Sequence, residues 1–229
     1  MKKLLVFISS ILISFNSYGG LFDKTICLDS DGTYGDWAQM VRNGIIYLPN
    51  KSKPFSGKNL CKYENGLNKS EGKIKDGKWS DKYTEWYKHG QIKIFYYYKD
   101  GKRNGEYTKW YKNGQIMREG KYIFDNRDSN WTHWHENGQI KEKVNYKVGE
   151  LNGKSTWWNE SGQIREEVNY KDGKLDGKLT RWNESGQIRE EVNYKDGKLD
   201  GKVTLLYENG QIRAERNYKD GVCISGDCD

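Results

Sequence analysis

Gly66, Gly90, Gly114, Gly138, Gly162, Gly186 and Gly210 stand 24 residues apart without a slip. A fixed period of this size restricts a chain to stacking copies of one supersecondary unit. From Gly90 onward each of these glycines is followed by Gln-Ile, which makes the column Ile92, Ile116, Ile140, Ile164, Ile188 and Ile212. Tyr98, Tyr122, Tyr146, Tyr170, Tyr194 and Tyr218 keep the same count, as do a threonine column from Thr84 to Thr204 and a tryptophan column from Trp86 to Trp182. Trp158–Lys178 recurs unchanged as Trp182–Lys202, the mark of recent duplication.

Within one unit, Gln163–Lys171 alternates. Ile164, Val168 and Tyr170 fall on one side and Arg165, Glu167, Asn169 and Lys171 on the other, which is the period of a strand. The strand ends at Asp172-Gly173, Gly177 follows, and Leu179-Thr180-Arg181-Trp182 leads to the next turn at Gly186. Two strands and two glycine-bearing turns make a β-hairpin. Proline occurs only at Pro49 and Pro54, so the ladder beyond them is uninterrupted. A lone hairpin is marginal in water, so the units must stack edge to edge. The expected fold is all-β, an elongated single antiparallel sheet of stacked 24-residue hairpins. About seven units with roughly fourteen strands, spaced about 4.8 Å, would extend about 65 Å.

Residues 1–19 combine Lys2 and Lys3, an apolar run from Leu4 to Ile13, and a polar stretch ending at Gly19. That is the pattern of a secretory signal peptide cut near Gly19-Gly20. The run is shorter than the roughly 20 residues of a spanning helix, so no transmembrane segment is expected after cleavage. The chain is read as exported, periplasmic or secreted. Cys27, Cys61, Cys223 and Cys228 are an even set, which in an exported chain favours disulfides. Sequence proximity points to Cys27 with Cys61 and Cys223 with Cys228, which would staple the two open edges of the sheet. The expected organisation is a signal peptide at 1–19, an N-terminal cap at 20–42, the hairpin array at 43–222 and a C-terminal disulfide tail at 223–229.

The formal charge is +7 and falls to +5 without the two leader lysines. Acids and bases are interspersed and form no block, so a nucleic-acid partner is not expected. Hydrophobic residues make up 34%, too few for a thick core, but nine Trp and seventeen Tyr can cover a thin sheet.

His133 and His135 lie two apart on one expected strand and share a face, yet no third ligand accompanies them, so no metal site is expected. His89 stands where other units have the turn asparagine. Glu166, Glu167, Asp172 and Asp176 return as Glu190, Glu191, Asp196 and Asp200. A repeated, solvated group is not the single constellation that an active site requires. The chain is expected to be non-catalytic and free of cofactors.

The pattern Trp-Tyr-x-Asn-Gly-Gln-Ile-x-x-Glu at Trp110–Glu119, with Tyr-Lys-Asp-Gly-Lys-x-x-Gly at Tyr170–Gly177, resembles the bacterial variant of the MORN repeat. Asn43-Gly44-Ile45 to Pro54-Phe55-Ser56-Gly57 is similar to the opening unit of such proteins, so the resemblance spans about residues 43–222. It implies a binding scaffold. Such chains are grouped under a YwqK-like toxin-antitoxin label, which implies toxin neutralisation as one role.

Two neighbouring columns change from unit to unit: Tyr83, Tyr107, Trp131, Ser155, Leu179, Val203 and Glu85, Lys109, His133, Trp157, Arg181, Leu205. By alternation they share a face opposite the Thr and Trp columns. Positions that do not repeat are read as free of duty to the fold. The expected partner-binding surface is therefore Tyr83, Glu85, Tyr107, Lys109, Trp131, His133 and Trp157, with plain sheet covering as the alternative. The segment Phe124–Asn130 also departs from the repeat, with Asp125 and Ser129 in place of glycines. A protein partner is expected. Envelope glycan or anionic lipid headgroups, held by aromatic and basic columns, are the alternative.

Overall fold

The structure, a computed structural model, describes residues 25–28 and 41–228. The signal peptide expected at 1–19 lies outside the described residues, as does most of the cap segment. Every regular element among the described residues is a strand. The first are β1 (Thr25–Ile26), β2 (Val41–Arg42), β3 (Ile45–Ile46), β4 (Gly57–Lys62), β5 (Asn68–Lys75) and β6 (Lys78–Trp86). The middle holds β7 (Ile92–Lys99), β8 (Lys102–Trp110), β9 (Ile116–Ile123), β10 (Asn126–Trp134) and β11 (Ile140–Lys147). Next come β12 (Glu150–Leu151), β13 (Gly153–Trp158), β14 (Ile164–Lys171) and β15 (Lys174–Trp182). The last are β16 (Ile188–Lys195), β17 (Lys198–Leu206), β18 (Ile212–Lys219) and β19 (Val222–Gly226).

All but β2 and β3 join one 17-stranded sheet, in which the pairings from β4 onward are antiparallel. The single long sheet of stacked hairpins is thus as expected. The three strands beyond fourteen are β1, β19 and the split of one strand into β12 and β13. The hairpin tips are two-residue turns with both residues at positive φ, as at Asp172 (47°) and Gly173 (77°). That backbone matches the twist of the flanking strands.

Among the described residues the long sheet has no second layer to cover it, yet Val168 is 1% exposed and Trp131 0%. The register supplies the reason. Val168 and Tyr170 are two residues apart on β14, whereas their partners on β15, Leu179 and Leu175, are four apart. The surplus forms a bulge at Asp176-Gly177, and a bulge bends the strand that carries it. The same shift recurs between β16 and β17, β7 and β8, β9 and β10, and β5 and β6. Bending alternate strands at one level curls the sheet over its own inner face. Leu175 and Leu179, on either side of the bend, then pack in one cluster with Val168 and Val192. A middle cluster is aromatic, built on Tyr107, Tyr122, Trp131 and Val144. A third, at the N-terminal end, joins Ile26, Leu28, Ile46, Phe55 and Ile74.

The N-terminal edge is closed by β1, which pairs parallel to β4. Cys27 is bonded to Cys61 there, and the fully buried Asn59 carboxamide accepts from the Leu28 N–H at 2.6 Å. At the far edge Cys223 is bonded to Cys228 beside the short strand β19. Both pairings agree with the expectation from proximity. The outer face is laced by Lys–Glu pairs in register, such as Lys154 with Glu167 at 2.7 Å and Lys178 with Glu191 at 2.5 Å. Pairs as exposed as these are worth about 0–1 kcal/mol each, and beneath them Thr84, Thr156 and Thr180 are buried at 6–8% exposure.

Candidate functional site

Residues 83, 107 and 131 lie on the inner face of β6, β8 and β10, and the bend encloses them. Tyr83 is 2% exposed, Tyr107 8% and Trp131 0%. The expectation that these three offer contact area to a partner is therefore corrected: their rings fill the core. The Trp131 indole lies on Gly120, where a Cβ would come within 2.3 Å of the ring. Tyr83 likewise lies against Gly72, where a Cβ would meet its ring at 2.8 Å. The equivalent positions hold Tyr96, which stacks between Tyr83 and Tyr107, then Val144 opposite Trp131, and Val168 and Val192 where the facing residues are the smaller Ser155, Leu179 and Val203. The column varies because volumes are exchanged between neighbouring strands, not because it is free.

The other four expected residues, Glu85, Lys109, His133 and Trp157, fall two positions further along the same strands and are half-buried. Cross-strand pairing joins them into one row. It runs Glu85, Ile94, Lys109, Arg118, His133, Glu142, Trp157, Glu166, Arg181, Glu190 and Leu205, each opposite the next. Residues directly opposite on adjacent strands are the closest side-chain neighbours in a sheet, so charge along this row is felt pair by pair.

Towards its C-terminal end the row is neutralised. Arg181 donates from Nε to Glu166 at 2.6 Å and from Nη1 to Glu190 at 2.9 Å. The hydrogen bond to Glu166 pushes the guanidinium pKa further up, against some desolvation. At the start of the row, Glu85 accepts from Lys93 at 3.2 Å and from the Tyr83 hydroxyl at 3.1 Å. In the middle, His133 Nδ1 lies 2.9 Å from Glu142, whose other oxygen accepts from the Trp157 indole at 3.2 Å. The hydrogen bond from His133 holds the Glu142 carboxyl below its ordinary value, with burial opposing and Trp157 assisting.

Arg118 is the residue that sequence reasoning missed. Its equivalents in the next three units are Glu142, Glu166 and Glu190, while the flanking units hold Ser70, Ile94 and Ala214, so Arg118 is the one cation of the column. That reversal of sign was the available signal. It places Lys109, Arg118 and His133 side by side on β8, β9 and β10. Arg118 Nε and His133 Nε2 are buried without a hydrogen-bond partner.

His133 and His135 are engaged by different partners. His135 Nε2 lies 3.2 Å from the Trp158 carbonyl. The Tyr63, Tyr87 and Tyr111 hydroxyls each donate to the equivalent carbonyl of Trp86, Trp110 or Trp134 at 2.7–2.8 Å. His135 is thus the fourth rung of a clamp between successive units. His89 stacks on Tyr87 with ring centroids 5.5 Å apart. The departure at Phe124–Asn130 comprises the tip turn Phe124-Asp125 and the bend residue Ser129, all at positive φ. Ser129 and Asn130 border a shallow cleft of about 280 Å³ with Glu106, Thr108, Glu119 and Lys121. No helix among the described residues is long and apolar enough to cross a membrane.

Comparison with known proteins bears on the repeat alone. The family described as MORN repeat variant matches residues 103–123, 127–147, 151–172, 175–196 and 199–220. No curated protein sequence matches the chain. Among solved structures, "Crystal Structure of TcdB2-TccC3-Cdc42" contains a chain that is 9% identical over 77% of this one, with a TM-score of 0.22. The aligned part is 12% of that chain's length, and a likeness so slight carries no argument. The five matched segments coincide with the hairpins of β8 to β18, so that part of the chain is built of five repeats that match the MORN repeat variant.

Proposed function

We propose that the protein is a non-catalytic exported scaffold that binds a protein partner along the polar row of its inner face. The observation that carries this reading is the row itself: eleven residues on consecutive strands, half-buried and in register, with its cations neutralised at one end and not in the middle. A half-buried row on a rigid sheet offers a partner oriented groups at little entropic cost. Two disulfides support an oxidising compartment and so an exported chain. Neutralisation of a toxin is one form that such binding could take. The repeated carboxylates of the outer face are held by lysines in solvent, which favours a structural role for them over a catalytic one.

A second reading, capture of envelope glycan or anionic lipid headgroups, is favoured by the hairpin tips. There Lys171 and Lys174, and again Lys195 and Lys198, flank the Asp-Gly turns, while Phe124 and Val148 expose apolar side chains beside them. The two readings separate in an affinity capture from envelope extract, run with wild type, Lys109→Ala with Trp157→Ala, and Lys171→Ser with Lys195→Ser. Loss of one defined protein with the row variant alone is expected. Capture of lipid or glycan that is lost with the tip variant and at raised salt would transfer the function to the tips.

A further inference from the structure

The middle of the inner-face row is a place where the repeat breaks its own electrostatic rule. In the later units the one cation of the row, Arg181, is flanked by the carboxylates of Glu166 and Glu190. In the unit of β8 and β9 the acid is replaced by Arg118, so Lys109 faces Arg118 directly and Arg118 faces His133. Like charges placed directly opposite across strands oppose each other, and the nearest acids of the row are each two places off: Glu85, engaged by Lys93 and Tyr83, and Glu142, engaged by His133 and Trp157. Among the described residues, neither Lys109 nor Arg118 has an ion pair. The Arg118 Nε and His133 Nε2 atoms are buried with no acceptor or donor in reach. A buried guanidinium N–H left without an acceptor is costly, and in return the fold gains only the attraction of Arg118 for Glu142 across His133.

We propose that Lys109, Arg118 and His133 form a receptor for the carboxylates of an acidic peptide segment of the bound partner. This rests on the scaffold reading and names the chemistry of the partner. Arg181 shows which group the row accepts: its Nε donates to Glu166 and its Nη1 to Glu190, one charge-assisted hydrogen bond to each of two carboxylates. Arg118 occupies the same row with its carboxylates removed, so the partner supplies what the neighbouring strands supply to Arg181. Three donors on three adjacent strands span about 10 Å, and acidic side chains on one face of an extended peptide recur about every 7 Å, so two can be held at once. The carboxylate on Lys109 lands beside Ile94 in the same half-buried row, a partly desolvated setting that strengthens a charge-assisted bond.

The decisive variant is Arg118→Glu, because it introduces the residue that the next three units carry at this position and so is expected to leave the fold at least as stable. Binding of a fluorescein-labelled hexaglutamate peptide to the full protein is followed by fluorescence polarisation, and the thermal midpoint is read alongside. Wild type is expected to bind, and Arg118→Glu to bind roughly tenfold or more weakly with an equal or higher midpoint. Lys102→Glu makes the same charge change at the tip of that hairpin and should bind as wild type does. Equal loss in both variants would reduce the effect to net charge and overturn the site. Wild-type affinity in Arg118→Glu would overturn it too, and so would inorganic phosphate competing as well as the peptide at equal concentration. Partner capture that survives Arg118→Glu sinks the carboxylate receptor and leaves the scaffold reading standing. An absence of any captured protein, with hexaglutamate still bound, sinks the scaffold reading alone.

Discussion

Val148 holds φ at 51° in a turn where five other units place aspartate, and it is 70% exposed. A β-branched residue in the left-handed region is strained by about 1–2 kcal/mol, and nothing packs on this one to offset the strain. Val148→Asn should therefore raise the free energy of unfolding by about 1 kcal/mol, read from urea denaturation; an unchanged midpoint would mean that the turn relaxes around valine at no cost. Gly120 has the opposite constraint. A methyl there would meet the Trp131 ring at 2.3 Å, in contact with backbone-anchored core and not with a flexible tip. Gly120→Ala should destabilise by about 1–3 kcal/mol in the same titration, whereas Gly186→Ala, with nothing within 4 Å, should cost only its turn strain. Buried tyrosines set the alkaline limit. Desolvation pushes the hydroxyls of Tyr83, Tyr96, Tyr98 and Tyr107 above their ordinary value. A group whose pKa is raised by folding contributes stability that is whole below the unfolded value, about 10, and is lost as pH rises beyond it. Phenolate absorbance from these residues should then appear together with cooperative unfolding and not before it; smooth titration of a folded protein would contradict their burial.

The hairpin, the tip turn and both disulfides could be read from the chain because each rests on local chemistry: Asp-Gly for the turn, alternation for the strand, proximity for the cysteines. The bend could not. Its column holds Gly105, Gly153, Gly177 and Gly201 but also Asp81 and Ser129, all at positive φ, so no single residue type marks it. Without the bend the inner face looks like an open surface, and the aromatic residues Tyr83, Tyr107 and Trp131 look available to a partner. Knowing that Trp131 sits on Gly120 requires the register between β9 and β10, which one strand's periodicity does not contain. The polar row was half legible for the same reason. Lys109 and His133 were visible as variable positions, whereas Arg118 becomes informative only when placed between them. At the element scale the caps should behave independently. Replacing Cys27 and Cys61 by serine opens a loop with a sequence separation of 34, and loop entropy puts the loss at about 4 kcal/mol. The loss should be confined to β1, β4 and the small cluster around Ile26, Ile46 and Phe55, seen as faster amide exchange there with β14 to β18 still protected. Exchange that accelerates evenly along the chain would show that the array unfolds as one unit.

Each unit touches mainly its neighbours through strand pairing and the 24-residue clamp of Tyr63, Tyr87, Tyr111 and His135 on the next unit's backbone. A molecule built this way should tolerate changes in length but not in phase. Residues 158–178 and 182–202 are identical, so deleting residues 179–202 joins Lys178 to Val203 and reproduces the native junction between Lys202 and Val203. The product should keep the strand content per residue and unfold cooperatively. Its maximum dimension in solution scattering should shorten by about 10 Å, the width of two strands. It should also bind hexaglutamate as the full chain does, because Lys109, Arg118 and His133 lie in units that the deletion leaves alone. Deleting residues 179–201 removes one residue fewer and turns every following side chain of that strand to the opposite face. Val203 would leave the core and Thr204 would enter it, so β17 and β18 should be lost from the sheet while the N-terminal units persist. Equal stability of the two deletions would mean that the inner face does not depend on register, which the burial of Val168, Leu179 and Val192 makes untenable for a sheet closed by its own bend.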